Sequence, residues 1–193
     1  MNQLVFHFLN VGKGSSTIAD FPSGRLTVID VDDSRSISAA EKAYMEVIEK
    51  KAKLTNPVEY IIGQFPGKGI FRFILTHPDM DHMSGIKALF EKKTVSNFWD
   101  TENKKYVDPR TWAGSPYDKE DWDFYQKIRK STDSPKALNL YRDAGAECCW
   151  IQDGIEVLSP TPALVNEAEE SEDYDHLSYV LMVTYQGKKI LLG

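Results

Sequence analysis

Short apolar runs alternate with polar punctuation along this chain at a spacing that predicts strands interleaved with helices. Leu4 to Val11 is apolar at nearly every position, the pattern of a strand buried on both faces. Thr17 to Phe21, the Pro22-Ser23-Gly24 turn and Leu26 to Val31 predict a β-hairpin. A long helix is expected from Ser38 to Leu54, with Tyr44, Val47 and Ile48 as its core stripe and Glu46 one turn ahead of Lys50. Asn56-Pro57 reads as an N-cap and a first-turn proline, opening a short helix to Ile62, with Gly63 to Gly69 as loop. Phe71 to Leu75 is the next buried strand. A helix then begins near His82, with Ile86, Leu89 and Phe90 on one face and Glu91, Lys92 and Lys93 on the other.

Thr94 to Trp99 predicts a further strand, and Asp118 N-caps a helix to Lys130 whose stripe is Trp122, Tyr125 and Ile128. The last third reads as strands: Glu147 to Ile151, Ile155 to Leu158, and a hairpin of Ser178 to Tyr185 with Lys189 to Leu192. An acidic, solvated loop with Glu167, Glu169, Glu170, Glu172, Asp173 and Asp175 separates them.

The candidate chemistry sits between the strand ending at Leu75 and the helix that follows. Thr76-His77-Pro78-Asp79-Met80-Asp81-His82 places two imidazoles and two carboxylates within six residues, after Pro78 has stopped the ladder. His77 and Asp79 can converge, whereas the neighbours Asp81 and His82 point in different directions. That divergence suits two ions: His77 and Asp79 on the first, Asp81 and His82 on the second, roughly 3.5–4 Å apart as in hydrolytic two-metal sites. The bland alternative for any one of these residues is a helix N-cap and its polar neighbours; four in this order favour metal.

The pattern His77-x-Asp79-x-Asp81-His82 resembles the signature of the metallo-β-lactamase superfamily, in the form found in ComEC-type domains of DNA-uptake proteins and their stand-alone relatives. Phe6-His7-Phe8-Leu9-Asn10-Val11-Gly12-Lys13-Gly14-Ser15 is similar to that group's first strand and turn, with Asn10 and Ser15 where the group has acids. Arg25 to Asp30 looks like its second strand, ending in an acidic residue beneath the metal loop, and Ile155 to Pro160 and Ser178 to Leu181 look like later strands.

The resemblance implies an α+β fold, the αββα metallo-β-lactamase sandwich, with residues 1–193 as one domain corresponding mainly to its amino-terminal half. Family members continue past the Leu191-Leu192-Gly193 strand into a metal-bridging Asp and a later His, so the chain is expected to be incomplete at its carboxyl end. The implied activity is metal-dependent hydrolysis, of phosphodiester bonds in the first instance: a nuclease or phosphodiesterase. Two divalent ions, zinc first and manganese or magnesium beside it because of the carboxylate in the signature's second slot, would activate a water that Asp81 holds. His176 is a candidate third imidazole for the first ion, the alternative being a surface histidine. Asp30, Lys13 and Ser178 are candidates for supporting the ligands or facing the substrate.

Composition narrows the alternatives. At 193 residues with 41% hydrophobic content, one domain with a substantial core is expected. A net charge of −6 argues against a broad nucleic-acid surface while leaving room for a local basic groove. Such a groove could come from Lys104, Lys105, Arg110, Lys127, Arg129 and Lys130 with the aromatics between Thr101 and Ser134, although helical spacing favours a buried stripe there. No apolar run is long enough for a bilayer and no secretory pattern opens the chain, so no membrane role and a cytoplasmic location are expected. Adjacent Cys148 and Cys149 cannot form an ordinary disulfide and read as small buried hydrophobes. His7, among Phe6, Phe8 and Leu9, reads as structural. Gly12 to Ser15 lacks the Walker spacing and leads into a strand, which disfavours nucleotide cradling. The rival class is a non-catalytic binding or assembly module, with a homo-oligomer or a partner chain covering exposed sheet.

Overall fold

The computed structural model describes residues 3–34, 39–47, 53–143 and 148–193. Its fold is α+β. A six-stranded mixed sheet is built from β1 (Val5–Phe8), β2 (Thr17–Asp20), β3 (Leu26–Ile29), β4 (Ile70–Ile74), β5 (Val95–Asp100) and β6 (Lys136–Asn139), in that spatial order. The first three strands pair antiparallel; β3 through β6 run parallel, each joined by a crossover. A second, antiparallel sheet contains β7 (Ile155–Ser159), β8 (Val180–Tyr185) and β9 (Lys188–Leu192).

Successive side chains of the large sheet enter two different cores, because side chains alternate across a strand. Ile18, Val28, Phe73 and Phe98 join a core with Val58 and Ile61, Leu89, and Trp122, Tyr125 and Ile128. These partners lie on α2 (Pro57–Gln64), α4 (Ile86–Lys92) and α5 (Lys119–Ile128). Their chain neighbours Ala19, Ile29, Ile74 and Trp99 instead meet Ile155, Tyr179, Leu181 and Val183 of the second sheet region. Helices, six-stranded sheet and three-stranded sheet thus form successive layers. Between the sheets Arg72 is fully buried, and its guanidinium donates to Asp153 at 2.6 Å and to Thr27 at 3.3 Å.

Several expected elements stand where the pattern places them. Asn56 caps α2 by accepting from the Glu59 N–H, and Asp118 caps α5 by accepting from Glu120. Both hairpins form.

Others differ for physical reasons. β1 lies at the sheet edge, not inside it, and Phe8 is 67% exposed. Helix α1 (Ala39–Val47) shows Tyr44 and Val47 as 65% and 81% exposed, so the expected core stripe faces outward; Ile48 and Lys50 lie outside the described residues. The helix expected to begin near His82 is two pieces, α3 (Met80–Met83) and α4, broken at Gly85 with φ 96°. Buried Asp121 holds that break by accepting from the N–H groups of Gly85 and Lys87. The segment expected as a strand around the cysteines is α6 (Cys148–Gln152), with Glu147 outside the described residues. Trp150 packs edge-on to Trp99 from it, and Cys149 is half-buried. A short apolar run has no periodicity to separate the two states. The acidic loop is largely α7 (Pro162–Ser171), started by the Thr161 cap and followed by a 3₁₀ turn, Tyr174–Leu177. Strand β6 gave no expectation; its Lys-Ala-Leu-Asn sequence is too short and mixed to alternate clearly.

Among the described residues, no helix is long and apolar enough to cross a membrane.

Candidate metal centre

Residues 76–84 leave the carboxyl end of β4 and are fastened along the backbone that follows β3. Val31 N–H donates to the His82 carbonyl, Asp33 N–H to that of Ser84, and Ser15 N–H to that of Asp81. The first turn closes on the loop tightly: a β-carbon on Gly14 would lie 2.0 Å from the Asp81 carbonyl oxygen and 2.3 Å from Asp32 Oδ2. Asp32 is itself buried, accepting from Gly14 N–H, Ser34 N–H and the Ser84 hydroxyl. The loop is therefore set by backbone contacts before any ion is considered.

Asp30 is the central support. It is 1% exposed and adopts φ 56°, a left-handed conformation that Asp tolerates better than most side chains. Its Oδ1 accepts from Thr76 N–H at 2.8 Å, and its Oδ2 accepts from the Thr76 hydroxyl at 2.7 Å and from His82 Nδ1 at 2.8 Å. Asp30 Oδ2 serves as the acceptor in both contacts, so in the neutral ring the His82 proton belongs on Nδ1 and Nε2 carries the lone pair. Burial opposes protonation of His82, yet its hydrogen bond to Asp30 and the charges of Asp30, Asp81 and Asp79 outweigh that and hold its pKa above the ordinary value.

His77 is oriented in the same way. Its Nδ1 lies 3.1 Å from Ser178 Oγ and 3.3 Å from Thr76 Oγ1, whose own proton is directed to Asp30. Its Nε2 lies 3.5 Å from Asp175 Oδ1. Burial, then the neighbouring His82 ring 4.0 Å away, lowers the His77 pKa, which favours the neutral, ligating imidazole. Asp79 stands at the N-cap position of α3 but makes no capping hydrogen bond. Its carboxylate instead pairs with Lys105.

The structure brings together ligand atoms of His77, Asp79 and Asp175, all within 4.8 Å of one another. That is a nitrogen and two carboxylates in the range a divalent ion needs. Among the described residues, Asp81 and His82 stand outside this group. His82 lines, with Asp30, Thr76, His77 and Ser178, a cavity of about 360 Å³ between the two sheets. Asp81 lies on the Tyr117 side, where burial followed by Asp81, Asp32 and Asp79 pushes that phenol up to about 12.

No family model matches this chain, and no curated protein matches it. The site therefore rests on its own geometry.

That geometry redistributes the expected residues. His176 turns away from His77: its ring nitrogens lie 3.9 Å from Glu167 and 3.7 Å from Asp173. Its neighbour Asp175 takes the place beside His77. Ser178 orients His77 through Nδ1, and Lys13 is exposed and does not line the cavity. His7 is structural, as expected, bonded to Tyr60 and edge-on to Phe65. Reasoning from sequence missed Asp175 and the placement of Lys105. The first had a usable signal: in a 3₁₀ turn residues i and i+3 eclipse, so Ser178 and Asp175 share one side while His176 faces another.

Proposed function

We propose that this chain is a metal-dependent hydrolase of the metallo-β-lactamase sandwich type, related to the ComEC-like domains, and that it acts on phosphodiester bonds. The observation that carries this reading is the convergence of His77, Asp79 and Asp175 beside a His82 whose Nδ1 is already committed to Asp30. A carboxylate behind a ligating histidine is the usual support of a metal site, fixing both tautomer and ring angle. The layered arrangement, helices on one face of the mixed sheet and a second sheet on the other, supports the same reading.

His77, Asp79 and Asp175 would hold one divalent ion, and His82 with Asp81 would offer donors to a second; zinc, manganese and magnesium fit this nitrogen and oxygen set. A bound ion supplies a Lewis acid and lowers the pKa of water toward 7. The chain's own groups do the rest. Asp30 and Ser178 keep both imidazoles aimed outward through Nε2. Asp81 would accept a proton from an attacking water, and Leu181, Leu191 and Leu192 give the cavity an apolar wall on the side of the second sheet.

The test is metal content after purification without chelator, for the parent and for H77A and H82A. Retained divalent metal in the parent, reduced in both variants, with manganese-dependent cleavage of a phosphodiester lost in H82A, is the expected result. A parent that takes up no divalent metal sinks the reading.

A second reading, a module that docks another chain, draws on Phe8 and Leu191, 67% and 61% exposed, which line the same cavity. Light scattering after size exclusion separates it: a strict monomer counts against it.

A further inference from the structure

Lys105 reaches the site from the connection after β5, and that connection is clamped just ahead of it. Arg129 donates to the Asn103 carbonyl at 2.9 Å and to Asn103 Oδ1 at 3.2 Å. Asn103 Oδ1 in turn accepts from the Lys105 N–H, and the Lys104 N–H donates to Glu169 Oε1 at 2.6 Å. Arg129 is anchored on buried Asp100 at 3.1 Å. The backbone carrying Lys105 is thus tied to the core, while its side chain passes over the Tyr174 ring, 5.5 Å from the centroid, and ends on Asp79.

Asp79 belongs to the three-ligand group, and the site around it is acidic: Asp79, Asp81 and Asp175 within a chain of net charge −6. Such a rim repels an anion unless a cation faces it. An ammonium and a divalent ion compete for one carboxylate, because each disfavours the other at that distance. Once Asp79 is given to an ion, the ammonium is left within side-chain reach of whatever that ion holds.

We propose that Lys105 is the anion-gripping residue of this site: its ammonium neutralises Asp79 in the metal-free chain and, with Asp79 on a divalent ion, holds a phosphoryl oxygen of the substrate. The proposal rests on the metal reading above and adds the residue that selects a phosphoester over a neutral ester. Lysine suits the role as a mobile point charge with three donors.

The experiment is calorimetric, on the full chain, with manganese and then inorganic phosphate as probes. K105M keeps the stem that packs on Tyr174 and removes the charge; K105R keeps the charge. K105M is expected to bind manganese at least as tightly as the parent, since Asp79 has lost its competitor. Its manganese-loaded form is expected to bind phosphate on the order of tenfold more weakly, the size of one charge-assisted contact. K105R is expected to recover most of that loss. Equal phosphate affinity in the loaded parent and K105M, or weaker manganese binding in K105M, overturns the role of Lys105 and leaves the metal site standing. Absence of manganese binding by the parent overturns the metal reading and this proposal with it.

Discussion

Asp30 Oδ2 lies 2.8 Å from His82 Nδ1, so a carboxylate at the end of β3 fixes the tautomer of a histidine 52 residues later. The same carboxylate binds both the N–H and the hydroxyl of Thr76. One side chain therefore positions both ends of the segment from Thr76 to His82.

Replacing Asp30 by Asn tests that dependence with little backbone penalty, since Asn also tolerates the left-handed region that φ 56° requires. The amide presents a donor where His82 Nδ1 needs an acceptor. Divalent-metal affinity, measured by competition with a chromophoric chelator, is expected to fall roughly 10- to 100-fold, the usual cost of losing such a support. Unchanged affinity would mean that Asp30 serves only the fold.

Two glycines predict opposite signs. Gly14→Ala forces its methyl into the Asp81 carbonyl and Asp32, groups fixed by backbone and buried contacts, and is expected to cost about 1–3 kcal/mol. Gly63→Ala, in α2 with open space around it, is expected to stabilise by about 0.5–1 kcal/mol through helix propensity. Urea unfolding of the two variants, with midpoint and slope compared, decides both.

Asp153→Ala removes the partner of a guanidinium buried between the sheets. Both side chains of the Arg72–Asp153 pair are essentially inaccessible, at 1% and 0%. An uncompensated buried charge costs about 3–5 kcal/mol, so this variant is expected to unfold at markedly lower denaturant than the parent. The paired change Arg72→Met with Asp153→Leu is expected to recover much of the loss. No recovery would point to Ser23 and Arg25, which also bind Asp153, as the contacts that matter more.

Burial pushes the Asp100 carboxyl up to about 7, against the opposing pull of Arg129 and the Tyr125 hydroxyl. In the unfolded chain an Asp titrates near about 4. Between these values the folded state binds more protons than the unfolded state, so this group's contribution to stability declines as pH rises from about 4 through about 7. Asp100→Asn removes the titration. The parent-minus-variant difference in unfolding free energy is expected to become less favourable to the parent across that window, and a flat difference would refute the shift.

Much of the site was legible because its residues are adjacent. His77, Asp79, Asp81 and His82 lie within six residues, spanning the turn after β4 and the short helix α3, and the strand before them and the helix after them follow from apolar periodicity. Asp30 was legible as the polar end of an apolar strand. Asp175 was harder, since six acidic residues crowd that segment and only the 3₁₀ turn chooses among them. Lys105 was legible only as one of six candidate groove cations; its placement at the site left no local trace, because its partners Asp79 and Tyr174 are distant in sequence and the irregular connection has no period to read. The outward face of α1 and the helix at Cys148–Gln152 show the same limit from another side: an apolar pattern says that a face can be buried, and the neighbours that bury it are set elsewhere in the chain.

The alternation along β4, where Phe73 enters the helical core and Ile74 the inter-sheet core, has a consequence for the loop that follows. A strand that divides its side chains between two unlike compartments cannot slide by a single residue, since that step would exchange the contents of both at once. The height at which Thr76 and His77 emerge above the sheet is therefore quantised, like a key cut on both edges, and the ligand geometry inherits its precision from packing that no ligand touches.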